Sequence, residues 1–255
     1  MVRIIAVTNQ KGGVGKTTTT INLAACLAQA GKRVLAVDAD PQGNTTSGLG
    51  FEKNDIENTL YNVVLGEIPP TKAIIETQID NLRLLPSNIN LAGAEIELIG
   101  FDHREFSVKT ALYAVKEAYD FIVIDCPPSL NIITVNALTA ADTVLVPIQC
   151  EYFALEGLQQ LLHTIGLVRD RLNPQLEIEC VVFTMYDART NLSMQVVEEI
   201  KRTLKGSVHK TIIPRNVRLG EAPSHGLPIT LYDPKSKGAE SYITLAEAVI
   251  EKEWN

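Results

Sequence analysis

NQKGGVGKTT, residues Asn9 to Thr18, follows the apolar run Ile4 to Val7 and opens into a helix-length stretch that ends at Ala30. Strand, glycine-rich loop and helix in that order are the context a phosphate-binding loop requires. Gly12, Gly13 and Gly15 let backbone N–H groups turn inward around a phosphate chain, and the following helix points its partly positive N-terminus at the same anion. Val14 and Thr18 complete the expected nucleotide lining. Lys16 is placed to reach the β- and γ-phosphates, and the Thr17 hydroxyl to sit on Mg²⁺. ATP with Mg²⁺ is therefore the expected cofactor. The loop departs from the common form at two positions. Gln10 stands where glycine is usual, and Lys11 adds a second lysine five residues ahead of Lys16.

Working outward, the apolar runs Val34–Val37, Leu82–Leu85, Phe121–Ile124, Val144–Ile148, Ile178–Phe183 and Thr211–Ile213 read as strands. Between them lie amphipathic stretches of helical length: 17–30, 104–118, 130–140, 155–169, 192–204 and 239–252. This alternation predicts an α/β P-loop NTPase fold, a twisted and largely parallel sheet with helices on both faces. It also places ligand chemistry at the carboxyl ends of the strands. Residues 51–70 fit the pattern least and read as short helices and loops. A length of 255 residues with 45% hydrophobic content suits a single domain spanning 1–255.

Two strands run directly into carboxylates. The second enters DADPQGN, Asp38 to Asn44, and the run FIVIDCPPS, Phe121 to Ser129, ends its apolar part at Asp125. Asp125 has the form of a Walker B carboxylate, which meets Mg²⁺ through water. Asp38 and Asp40 can meet magnesium or water, but Asp-Pro also starts turns, and both readings of Asp40 stand at this level. No serine triad, catalytic histidine or nucleophilic cysteine is apparent. Phosphoryl transfer needs none, because positioning and charge stabilisation carry it.

Composition narrows the remaining classes. Cys26, Cys126, Cys150 and Cys180 have neither CxxC pairing nor metal-ligand spacing and are expected to be reduced structural thiols. No run of 18 apolar residues exists, and the N-terminus enters a strand at once, so a cytoplasmic protein is expected. The last helix carries Glu240, Glu247, Glu251 and Glu253 against Lys252 on its polar side, the wrong charge for anionic lipid. Net charge is −7, yet Lys201, Arg202, Lys205, Lys210, Arg215 and Arg218, with His209, form a segment without any acid. Such a segment is either a solvated face or a surface for a polyphosphate backbone.

Residues Lys11 to Thr17 match the deviant Walker A pattern KGGxxGK[ST] throughout. Further segments extend the resemblance over nearly the whole chain: VDADPQGN at 37–44, LAGAEIEL at 91–98, DCPPSL at 125–130, QCEYFALEGL at 149–158 and IPRNVRLGEAPSHGLPI at 213–229. On these the chain resembles the ParA/Soj chromosome- and plasmid-partitioning ATPases. The resemblance implies a slow ATPase that pairs as a homodimer when loaded with ATP, each Lys11 extending over the phosphates of the other subunit. A preorganised cation there stabilises charge on the γ-phosphoryl oxygens, as an arginine finger does. It implies that Asp40 positions the attacking water and the metal, with Asp38 in support, and that the segment after Asp125 senses the γ-phosphate. It further implies non-specific double-stranded DNA binding, matched by Arg189 and Arg218 and extended here to Lys201, Arg202 and Arg215. Pro214 and Asn216 match the adenine-side wall. The implied partner is a ParB/Spo0J-type protein, the implied location the nucleoid, and control of replication initiation a second duty. The membrane-cycling MinD relatives usually carry glycine at position 10 and a basic terminal helix, and this chain has neither. A ligase or reductase on the same loop is the other alternative; the cysteine spacing speaks against an iron–sulfur reductase, and the ligase predicts ATPase activity that depends on a metabolite.

Overall fold

The computed structural model describes residues 2–204 and 209–252. Eight strands form one sheet: β1 (Arg3–Val7), β2 (Val34–Asp38), β3 (Ile75–Glu76), β4 (Leu82–Leu85), β5 (Phe121–Asp125), β6 (Thr143–Gln149), β7 (Glu177–Tyr186) and β8 (His209–Pro214). Their order across the sheet is β3-β4-β2-β5-β1-β6-β7-β8, and every pairing is parallel except β3 with β4. The seven strands expected from sequence are all present, and β3 is an added antiparallel edge. Helices α1 (Lys16–Gln29), α2 (Asn44–Gly48), α3 (Leu60–Val64), α4 (Pro70–Ala73), α5 (Leu91–Glu97) and α6 (Ser107–Tyr113) occupy the first half. They are followed by α7 (Ile132–Ala140), α8 (Ala154–Arg171), α9 (Asn191–Thr203), α10 (Val217–Glu221), α11 (Ile229–Tyr232) and α12 (Lys237–Glu251).

Strands covered on both faces read as unbroken apolar runs, and side chains alternate between two cores. Ile4, Ala6, Leu35, Val37, Ile122 and Ile124 pack under α3 and α5 to α9. Ile5, Val7, Val34, Ala36 and Val123 pack under α1, α10, α11 and α12. The stretch 104–118, expected as one helix, is α6 flanked by 3₁₀ turns at Arg104–Phe106 and Lys116–Ala118. Val108, Ala111, Leu112, Val115 and Tyr119 keep helical spacing and are buried, so the core is served while the backbone tightens to deliver Asp120 to Arg33. Residues 51–70 are, as expected, short helices and loops.

At the amino ends of the strands Arg3 ties distant parts of the chain together. It donates to the carbonyls of Val249 (2.5 Å) and Lys252 (2.7 Å) and lies 3.5 Å from the Glu179 carboxylate. Glu179, buried in β7, also accepts from the Thr143 hydroxyl at 2.7 Å and pairs with Lys252 at 3.6 Å.

Candidate nucleotide site and basic surface

β1 lies in the middle of the sheet and delivers the loop 9–15 to its carboxyl end, between β5 and β6. Gly15 caps α1 at φ 88°, a left-handed conformation that L side chains rarely adopt, so glycine is needed for the chain to turn into the helix. A methyl group added at Gly12 or Gly13 would meet nothing within 4 Å. The loop is thus an open cradle of backbone rather than a packed turn. The Thr184 hydroxyl on β7 holds the Val14 carbonyl from outside at 2.8 Å.

Lys16 is 7% exposed, and its ammonium rests on the Lys11 carbonyl at 3.1 Å. Burial pulls its pKa below the ordinary range, and the negative field of Asp125 and Asp40 opposes this. Asp125, at the end of β5, is fully buried and gathers hydroxyls from two helices. Thr17 donates at 2.8 Å, Thr45 at 2.7 Å and Thr20 at 3.4 Å. Asp38 faces it in the β2–β5 register and accepts from the Thr46 amide (2.8 Å), the Thr46 hydroxyl (2.7 Å) and the Asp40 amide (3.2 Å). Burial raises both carboxyls, Asp38 to about 7 with the negative charge of Asp125 adding to it, and Asp125 to about 6 against its threonine donors. Two buried carboxylates side by side call for a cation. Asp40, 8% exposed, accepts from the Gln42 amide at 2.9 Å, so it makes the turn and stands at the site together.

Among the described residues no cluster of three or more His, Cys, Asp or Glu side chains is arranged to hold a metal alone. Magnesium keeps several waters and takes one or two protein oxygens beside phosphate oxygens. The Thr17 hydroxyl next to Asp125 supplies that donor set. The four cysteines are buried and free.

Lys16, Thr17, Asp40 and Asp125 are therefore brought together, with Thr18 half-buried beside them. Pro214 ends β8 on the same side of the sheet, and Asn216 caps α10 by accepting from the Arg218 amide at 2.9 Å. Thr45, Thr46 and Thr184 were not singled out from sequence. The signal for the first two was the TTSG that follows DADPQGN, since a strand ending in a carboxylate needs donors close by.

The basic segment requires a correction: residues 201–218 do not form one patch. β7 and β8 run parallel, so α9 between them must run the opposite way, carrying Lys201 and Arg202 to the amino ends of the strands. At 1.5 Å per residue this is a traverse of about 20 Å. Arg215 and Arg218 follow β8 at its carboxyl end, and Arg189 follows β7 at the same end. Lys205 and Glu253 lie outside the described residues, as do the side chains of His209 and Lys210. Arg189 pairs with Asp187 (2.7 Å), Lys201 with Glu198 (3.5 Å), Arg202 with Glu199 (3.5 Å), and Arg218 with Glu221 (2.8 Å) and Asp233 (3.6 Å), while Arg215 lies in the field of Asp187.

Among the described residues no helix is long and apolar enough to cross a membrane. α12 buries Tyr242, Leu245, Ala246 and Val249 against the core.

A family model described as an AAA domain matches residues 2–178. The sporulation initiation inhibitor protein Soj of Bacillus subtilis is 60% identical over 249 residues, 98% of each chain. The chromosome partitioning protein ParA of Caulobacter vibrioides is 51% identical, covering 99% of this chain and 95% of its own. Among solved structures, a Mycobacterium smegmatis protein named cobyrinic acid a,c-diamide synthase, with ADP and magnesium bound, superimposes with a TM-score of 0.87 at 40% identity, covering 98% of this chain and 94% of its own. The cell division ATPase MinD of Pyrococcus furiosus gives 0.81 at 29% identity, covering 98% and 99%. With relatives matched end to end on both sides and the phosphate-loop geometry in place, the chain belongs to the ParA/Soj family of chromosome-partitioning ATPases.

Proposed function

We propose that residues 1–255 act as one ATPase domain that binds ATP and Mg²⁺, pairs with a second copy when loaded, and in that state holds double-stranded DNA without sequence preference. Hydrolysis, stimulated by a ParB/Spo0J-type partner, returns it to the unpaired form. The cell site of this cycle is the cytoplasm at the nucleoid, with control of replication initiation as a second outlet. The observation that carries the reading is the constellation of open loop, buried Lys16 and the Thr17–Asp125 pair at one end of the sheet.

In this reading the loop amides and Lys16 bind and orient the triphosphate, and Thr17 with Asp125 holds the metal. Magnesium held there would supply charge neutralisation to the triphosphate. Asp40 orients the attacking water, and Asp38 fixes the Asp40 backbone through the amide it accepts. Lys11 crosses to the second copy, where its ammonium offsets charge developing on the γ-phosphoryl oxygens. Pro214 and Asn216 flank the base. Arg189, Arg215 and Arg218 form the main phosphate-backbone surface, and Lys201 and Arg202 touch DNA from the other end of the sheet, on a duplex laid along the paired molecule.

The test is gel-shift of a non-specific DNA fragment without nucleotide, with ADP and with ATP, alongside size-exclusion chromatography in the same buffers. Retardation and a doubled mass only with ATP are expected. A mass doubled without any retardation would remove DNA from the proposal. The likeness to a protein named as a synthase favours a second reading, an ATP-dependent ligase, which predicts turnover stimulated by a small metabolite and indifferent to DNA.

A further inference from the structure

Three contacts fasten the phosphate loop to β6 and the chain that follows it. The Asn9 carboxamide donates to the Pro147 carbonyl at 2.7 Å. The Gln10 carboxamide donates to the Thr164 hydroxyl on α8 at 2.9 Å, and Thr164 donates in turn to the Gln160 carbonyl at 3.1 Å. Third, the Lys11 ammonium is ion-paired with the Glu151 carboxylate. Gln10 and Lys11 are the two positions at which this loop departs from the common form, and they reach α8 and the turn that leads into it.

Glu151 stands in the turn between β6 and α8. The side chains of Lys11 and Glu151 are 37% and 35% exposed, so water reaches the pair and weakens it. One ammonium cannot rest against this carboxylate and also reach into the triphosphate of another molecule. A single half-solvated carboxylate is a poorer partner than a polyphosphate, which offers several charged oxygens in one place.

We propose that Glu151 is the resident counter-ion of Lys11, a positioning residue that keeps the lysine on its own protomer until the triphosphate of a second copy displaces it. This rests on the reading of Lys11 given under Proposed function. A chain whose Lys11 is engaged is not competent to pair, and the apparent affinity of pairing falls by the competent fraction. A symmetric dimer needs both lysines, so the effect enters twice. Glu151 thereby sets how much loaded protein must accumulate before pairing begins.

The experiment measures the dimer dissociation constant of the full chain by analytical ultracentrifugation with Mg²⁺ and a non-hydrolysable ATP analogue, and again with ADP. Glu151→Gln is expected to tighten pairing about 3- to 10-fold with the analogue, in line with an exposed ion pair counted twice, and to leave the ADP form monomeric. Glu151→Asp, which keeps the charge, is expected to stay within about twofold of wild type. In a Lys11→Ala background Glu151→Gln should change nothing. Unchanged or weaker pairing by a folded Glu151→Gln protein overturns the proposal, as does an equal gain in Glu151→Asp or in the Lys11→Ala background. If the wild-type chain does not pair with the analogue at all, the reading of Lys11 fails and the proposal fails with it. Wild-type pairing that Glu151→Gln does not alter sinks the proposal alone.

Discussion

Asp125 and Arg218 each collect several partners, but one does so in the dry middle of the sheet and the other in water. Asp125 is fully buried, and its threonine donors come from two different helices, so its position is over-determined. Arg218 is more than half exposed, and its acids, Glu221 and Asp233, lie on or near its own short helix. The phosphate end is thus organised before any ligand arrives, whereas the basic residues are held by local pairs worth about 0–1 kcal/mol each. A preformed site suits chemistry, and a loosely paired surface suits a partner that must be gripped and let go.

The contrast can be broken from either side. The largest effect is expected for Lys16→Ala, which removes a buried ammonium from the cradle and should weaken ATP binding more than about 100-fold by calorimetry. Binding that survives within tenfold would mean that the loop amides alone suffice. Asp40→Ala should lower the rate of ATP hydrolysis by about 10² or more while retaining the nucleotide and the paired state. Normal phosphate release by that variant would return Asp40 to a turn-making role only. Arg218→Glu should reduce DNA affinity at least about tenfold at moderate salt and leave ATP-dependent pairing intact, with a shallower dependence of log affinity on log salt. An unchanged salt slope would take Arg218 off the DNA surface.

A subtler effect follows from the carboxyl pair. Asp38 and Asp125 are raised to about 7 and about 6, so the folded, nucleotide-free protein holds protons that the unfolded chain releases near pH 4. Stability of that form should fall as pH rises from about 4 to about 7 and then level off. Melting temperatures across this range, with and without Mg²⁺ and the ATP analogue, read the effect. The decline should shrink when the cation is present, and an equal decline in both conditions would argue that the metal is not near the pair. The smallest effect is expected for Asp187→Asn, which frees Arg189 and should raise DNA affinity only about two- to fivefold. No gain would show that the acid and a DNA phosphate do not compete for that guanidinium.

Much of this was legible in the amino-acid sequence, for a physical reason. A strand buried on both faces has to be an unbroken apolar run, so seven of the eight strands announce themselves, and a run that stops at Asp125 places that carboxylate at the strand end. β3, two residues long, has no run to read. Thr45 and Thr46 were harder to single out than Thr17, because their hydroxyls gain their meaning from carboxylates 80 and 8 residues away in the chain. Glu151 was hidden likewise, its partner lying 140 residues back. The basic segment misled for the opposite reason. Neighbours in sequence were read as neighbours in space, yet the reversal between two parallel strands sends Lys201 and Arg218 to opposite ends of the sheet. Gly43 shows what an isolated glycine conceals. At φ 62° it passes the Ser87 carbonyl so closely that an added methyl would lie 2.8 Å from the oxygen, so the turn after Asp40 packs directly on the loop that follows β4.

The Arg3 tie bears on how the cycle can be watched. Because it gathers residues 3, 179, 249 and 252 beneath the sheet, opposite the loop that begins at Asn9, a fluorophore attached near either end of that knot would ride on the rigid underside. It would report tumbling and partner encounter without crowding the ligand mouth, whereas a dye on the turn at Tyr152 would sit beside Lys11 and perturb the event it was meant to observe.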